Sequence, residues 1–139
     1  MAAFRDLDEF ERVFVAFLKD LAVDDKTHSV AKSGLVIVFR VSDLGIDVVT
    51  DSTVEPRPGA AYQVYTTPRF EGRATVVYET TSDVIDRVYS GTLPAILALV
   101  LGKVRPHGEH LLTIVRARGG LEHAIPLYKT WRRHHYHQG

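Results

Sequence analysis

The chain has 139 residues, of which 45% are hydrophobic and 24% are charged, and its formal net charge is zero. This length and composition predict a single globular domain, 1–139, that is large enough to bury a core. The balanced charge argues against a dedicated nucleic-acid binder, and the absence of cysteine excludes disulfides, thiolate catalysis and cysteine metal sites.

The first residues, MAAFRDLDEFERVF, contain acids where a secretory signal has a basic segment and an unbroken apolar run. We therefore expect no such signal and a cytoplasmic location. The densest apolar block, Leu93 to Leu101, is much shorter than the roughly 20 residues that a membrane-spanning helix needs. No membrane span is predicted, although transient contact with a membrane surface stays open.

The first predicted element is an amphipathic helix over 6–21, in which apolar residues recur at spacings of three and four. Runs of β-branched and aromatic residues then predict four strands, over 34–41, 46–50, 61–66 and 73–79. The first two of these strands are expected to form a hairpin.

The second half of the chain begins with two predicted helices. One starts at Thr81 or Ser82 and is closed by Gly91, and the other covers 93–101 and is closed by Gly102. A last strand is predicted over 110–118, a turn at 119–120, and a helix over 121–131 that contains a proline. This order of elements predicts an α+β fold, in which helices cover one face of a sheet.

Two histidine clusters and the serines were considered as sites of chemistry. The segment from His107 to His110 follows Pro106 and is predicted to be a loop or the start of a strand, so we do not expect the helical zinc-protease motif, and His134, His135 and His137 lie near the chain end. There is no G-x-S-x-G, no phosphate-binding loop and no dinucleotide-type glycine loop. We therefore predict no catalytic residue, no metal and no cofactor.

One segment carries a recognisable pattern, S-D-x-I-x-x-V-x-S-G-x-L, then an apolar helix, then G-K-V-x-x-x-G-E. It runs from Ser82 to Glu109 and resembles the sterol carrier protein type 2 family of lipid-binding domains. Pro94 falls one residue earlier than the family's proline, and 52–72 is longer than the usual connection. Because the family's peroxisomal ending is missing, the chain is most similar to free-standing prokaryotic members.

The resemblance implies a mixed sheet of about five strands, covered on one face by helices, with an apolar tunnel between the layers. Family members bind fatty acids, acyl-CoA, sterols or similar lipids without catalysing a reaction. Some relatives are appended modules that position a substrate or help an enzyme to dimerise. The expected partner of this chain is therefore a lipid, and a homodimer or a partner enzyme is the alternative.

The predicted lipid contacts follow from the apolar strands and helices. They are Phe39, Val76, Tyr78, Ile85, Val88, Tyr89, Leu93, Ile96, Leu97, Val100 and Leu101. Because the helix over 93–101 is apolar almost all round, it should bury every side, with one side against the sheet. Lys103 and Arg105 are candidates for a lipid head group, although Lys103 equally suits the negative end of the helix dipole.

Three interpretations of this apolar surface stay open. It is the wall of a lipid tunnel, a face that dimerises or docks onto an enzyme, or the pocket of a small enzyme. The last would require a titratable residue such as His107, Glu109 or His110 to face the cavity. For any single apolar position, ordinary core packing is the competing explanation.

Overall fold

A computed structural model describes residues 4–23, 34–54, 60 and 62–135, with the backbone alone over 111–120 and at 135. The chain begins with helix α1, Leu7–Phe10, whose first turn is capped because the Asp6 carboxylate accepts a hydrogen bond from the Glu9 N–H at 2.9 Å. A π-helical segment, Glu11–Val15, joins α1 to α2, Ala16–Leu21. The predicted N-terminal helix is confirmed.

Five strands form one sheet. They are β1 Val36–Val41, β2 Ile46–Asp51, β3 Gln63–Thr67, β4 Val76–Thr80 and β5 Arg105–Gly108. Their order across the sheet is β3-β2-β1-β4-β5, and the pair β1–β4 is parallel while the other three pairs are antiparallel. The predicted hairpin and the mixed five-stranded sheet are confirmed.

One face of this sheet, here called the interior face, packs against the helices. It contains Ile37, Phe39 and Val41 of β1 and the residues that pair with them on the neighbouring strands. Val41 and Val48 are fully buried there, in the same apolar cluster as the inward side of α1 and α2. This is the arrangement of helices on one face that the sequence predicts.

The opposite face carries a buried ion pair. Arg40 donates from Nε and a terminal nitrogen to the two carboxylate oxygens of Asp47, at 3.1 and 3.0 Å, and this hydrogen bonding raises the pKa of Arg40. The Phe70 N–H also donates to Asp47, at 2.8 Å, so the connection between β3 and β4 crosses this face. Because Asp47 is only 1% exposed, these donors replace the water that its charge has lost.

Two short helices follow β4, as the sequence predicts. Helix α3, Ser82–Tyr89, is capped by the Thr81 side chain, and helix α4 covers Ala95–Val100. Gly91 and Gly102 follow these helices with φ of +77° and +71°, a conformation in which glycine carries no steric penalty. Among the described residues, none of the helices combines the length and hydrophobicity that crossing a bilayer requires.

The predicted strand over 110–118 is wrong, and so is the turn at 119–120. The chain there is the first part of helix α5, His110–His135, which also includes the predicted helix over 121–131. The reason is that β5 already occupies the free edge of β4, and the Glu109 N–H closes this pairing by donating to the Thr75 carbonyl at 2.8 Å. Pro106 lies in β5, where an edge strand tolerates a missing N–H.

The second half of α5 is held by buried polar contacts. The Tyr128 hydroxyl donates to Asp86 of α3 at 2.8 Å, and Arg132 Nε lies 3.0 Å from the same carboxylate oxygen. Burial raises the pKa of Asp86, although the Tyr128 hydrogen bond and the Arg132 charge both oppose this shift. Trp131 donates to the Val13 carbonyl at 2.8 Å, so α5 is fixed to both α3 and the N-terminal helix.

We predict that Tyr128→Phe lowers the free energy of unfolding by about 1–3 kcal/mol, because it leaves a buried carboxylate oxygen without its neutral donor. Urea unfolding measures this loss. Tyr65→Phe is the control, since Tyr65 is half-buried on β3 and should change stability by less than about 0.5 kcal/mol. Equal stability of the two variants would contradict the role assigned to Tyr128.

Candidate functional site

The interior face changes character along β1. Near the β1–β2 turn Val41 is fully buried, whereas Ile37, Phe39 and Tyr78 further along the same face are only half-buried. The Phe39 and Tyr78 rings stack with centroids 6.2 Å apart, because the two residues pair across the parallel strands β1 and β4. These three side chains, here called the interior wall, present apolar surface that the packed core does not cover.

The interior wall has a polar end. The Tyr78 hydroxyl lies 3.1 Å from Nδ1 of His110, the first residue of α5, and the two rings meet edge to face. Burial raises the pKa of Tyr78, so its phenol is neutral at neutral pH and can donate a hydrogen bond. A hydroxyl and an imidazole at the end of an apolar wall suit the polar head of an otherwise apolar ligand.

The other two titratable candidates lie elsewhere. His107 pairs with Val77 on the opposite face of the sheet, where its Nε2 is 3.6 Å from Glu79. Glu109 is exposed just after β5. Of the three residues singled out in the sequence, His110 is thus the one that meets the interior wall.

Helix α4 has a different environment from the one predicted. Its Ala98 is buried against Val84 and Leu93, so α4 packs on α3 rather than on the sheet. Four large apolar side chains point away from this contact and are exposed by 76, 44, 75 and 56% respectively: Ile96, Leu97, Val100 and Leu101. The expectation that this helix buries every side is wrong, and these four residues are here called the α4 patch.

The position of α4 is fixed at both of its ends. The N–H of Leu93 donates to the Arg87 carbonyl at 3.1 Å before the helix, and the N–H of Lys103 donates to the Ala98 carbonyl at 2.9 Å after it. The second bond, with Gly102 in a left-handed conformation, is the usual glycine stop of a helix. These backbone hydrogen bonds therefore fix α4 in the orientation that leaves the α4 patch exposed.

A polar cleft of about 390 Å³ adjoins the end of α4. Arg87, Lys103 and Arg105 line it together with Glu79 and Asp83. Arg105 lies 3.4 Å from Glu79, its partner in the β4–β5 register, on the sheet face opposite the interior wall. The two predicted head-group residues are thus brought together, but away from the interior wall.

The predicted lipid contacts divide into three groups. Buried within the packed core are Val76, Ile85 and Leu93; half-buried are Phe39, Tyr78, Val88 and Tyr89; exposed is the α4 patch. Packing accounts for the buried group, and lipid contact stays a prediction for it. Ile37 and His110 are additions to the predicted set. The alternation along β1 pointed to Ile37, whereas His110 was named only as a titratable residue of the enzyme interpretation.

No group of three side chains suited to a metal comes together within the described residues. The C-terminal histidine cluster includes His137, which lies outside those residues.

Comparison with solved structures identifies the fold. Sterol carrier protein domain 2 of Helicoverpa armigera is 15% identical, with a TM-score of 0.64 over 90% of this chain and 96% of that chain. A hypothetical protein of Thermus thermophilus, suggested to be a sterol carrier protein, is 14% identical, with a TM-score of 0.60 over 94% and 92%. The chain therefore has the sterol carrier protein fold, as the motif resemblance predicts.

The same fold occurs inside a larger enzyme. A sec-alkylsulfatase from Pseudomonas sp. is 16% identical, with a TM-score of 0.52 over 70% of this chain. The match spans only 14% of the sulfatase chain. Comparisons with protein-family models and with curated protein sequences found no match.

We predict that Ile96→Gln and Val100→Gln each change the free energy of unfolding by less than about 0.5 kcal/mol, because both side chains are largely in water. Ala98→Leu should lower it by about 1–3 kcal/mol, since the added carbons overpack the contact with α3. Urea unfolding distinguishes the two cases. Strong destabilisation by the glutamine variants would show that the α4 patch is core.

Proposed function

We propose that this chain binds a lipid, such as a fatty acid, an acyl-CoA or a sterol, in an apolar tunnel beside the interior wall, and that it catalyses no reaction. One observation carries the proposal: Ile37, Phe39 and Tyr78 are half-buried apolar residues on the sheet face that the helices cover. The fold supports it, since solved structures of this fold include proteins described as sterol carriers.

Apolar contact supplies a large part of the free energy that binds such a ligand. Each buried methylene contributes roughly 0.8 kcal/mol, so a long acyl chain gains roughly 10 kcal/mol before the costs of association. Association also costs an estimated 4–15 kcal/mol in lost translational and rotational freedom in typical complexes. A preformed wall such as the stacked Phe39–Tyr78 pair lowers that cost because it needs no reordering when the ligand enters.

The role we assign to Tyr78 and His110 is to orient the ligand's polar head. A neutral phenol donates a hydrogen bond to a carboxylate or hydroxyl oxygen, and the neighbouring imidazole holds the phenol in place. The hydrogen bond between the two side chains fixes them relative to each other, so orientation of a polar head is the role that the pair supports best.

A second candidate is a dimerisation or docking module that serves a partner enzyme. The exposed α4 patch favours it, together with the occurrence of this fold within an alkylsulfatase chain. Light scattering with and without fatty acid separates the candidates. A tight dimer that binds no lipid supports the module, whereas a lipid-binding monomer supports the carrier.

We predict that Ile37→Trp weakens binding of a fluorescent fatty acid by at least about tenfold, because the larger ring fills space beside the interior wall. Val36→Trp is the matched control: Val36 is the half-buried neighbour on the opposite face of the same strand, and its variant should bind within about twofold of the parent chain. Fluorescence titration measures both affinities.

The thermal unfolding midpoint of both variants is recorded alongside, because each substitution adds volume to a half-buried position. Similar midpoints with different affinities support the proposed pocket. Equal binding by the two variants, or no fatty-acid binding by the parent chain at micromolar protein, would contradict it.

A further inference from the structure

The α4 patch lies within a segment that carries only positive charge. From Arg87 to Gly108 the sequence contains Arg87, Lys103 and Arg105 and no Asp or Glu. Lys103 and Arg105 are exposed and follow the α4 patch directly, and Arg87 shares the cleft with them. Glu79 and Asp83 of the preceding segment line the same cleft, and Glu79 is the partner of Arg105.

The exposure of the α4 patch is built into the fold. Backbone hydrogen bonds before and after α4 fix the helix, and its single buried residue, Ala98, is already packed on α3. Rotating the helix to bury Ile96 or Val100 would therefore expose Ala98 and break these contacts. Four adjacent large apolar side chains held in water are typical of a surface that binds another apolar phase or molecule.

The adjoining cations decide which partner fits. A second copy of the chain, whose formal net charge is zero, would bring the same cleft of mixed charge to the contact and not an anionic surface. An anionic lipid surface has the complementary arrangement, with negative head groups beside an apolar layer. We propose that the α4 patch docks onto anionic membrane surfaces, with its apolar side chains among the acyl chains and Lys103 among the head groups.

This inference goes beyond the proposed function, since it concerns the outer surface of α4 and not the interior wall. The test is co-sedimentation of the purified chain with vesicles of phosphatidylcholine and with vesicles rich in phosphatidylserine. We expect binding to the phosphatidylserine vesicles that weakens as salt is raised, because screening reduces the head-group attraction. Phosphatidylcholine vesicles should bind the chain more weakly.

Two variants separate the apolar and the charged contributions. Ile96→Gln/Val100→Gln should reduce binding to phosphatidylserine vesicles by more than about tenfold, whereas Val23→Gln/Val54→Gln, at exposed apolar positions elsewhere, should match the parent chain. Lys103→Gln should reduce binding by about fivefold, the effect of one cation near an anionic surface, and Lys19→Gln on α2 should not.

Three outcomes would overturn the proposal. The first is that the parent chain does not sediment with phosphatidylserine vesicles, and the second is that the two double-glutamine variants bind these vesicles equally. The third is that light scattering shows a dimer which Ile96→Gln/Val100→Gln dissociates, while the parent chain does not bind vesicles. Fatty-acid titration of the parent chain without vesicles keeps the two proposals apart. If the chain binds fatty acid but not vesicles, only the proposed docking site is contradicted. If it binds vesicles but not fatty acid, only the proposed lipid pocket is contradicted.

Discussion

The ring of Phe14 is the contact on which the rest of the fold depends. Its centroid lies 4.9 Å from Tyr89 of α3, 6.1 Å from Tyr128 of α5 and 6.2 Å from Phe39 of β1. One fully buried side chain therefore joins the N-terminal helix, the sheet, and helices α3 and α5. Edge-to-face aromatic contacts add to the energy of burial, so this point fixes how the helical layer sits on the sheet.

The rings of Phe14, Phe39, Tyr89 and Tyr128 form one compact aromatic cluster, and its position determines where a ligand could enter. Phe39 belongs to it from one side through Phe14, and on the other side it stacks on Tyr78. Beyond that pair Ile37 is half-buried beside its fully buried partner Val76, and the Tyr78 hydroxyl contacts His110. The fold thus combines a rigid centre with an adjoining apolar wall, which is the physical basis of the proposed lipid site. The α4 patch lies outside this arrangement because the buried side of α4 packs on α3.

Local signals in the sequence were enough for most of the elements. The apolar spacing of the N-terminal helix, the β-branched runs of the hairpin and the glycine stops at Gly91 and Gly102 each act over a few residues, and all appear where predicted. The segment after Gly108 was misjudged because a short apolar run has no decisive period, and because β5 had taken the free edge of β4. The exposure of the α4 patch was not predicted for a similar reason. An apolar helix indicates that its surface should be buried, but only the tertiary structure shows what lies opposite.

The central claim is that an apolar molecule occupies the space beside the interior wall. Native mass spectrometry of freshly purified protein, followed by extraction and identification of any bound small molecule, tests it most directly. We expect a non-covalent adduct with the mass of a lipid, present in the Val36→Trp control and lost from Ile37→Trp. The mass of the bare chain in every preparation, together with no uptake of added fatty acid, would contradict it.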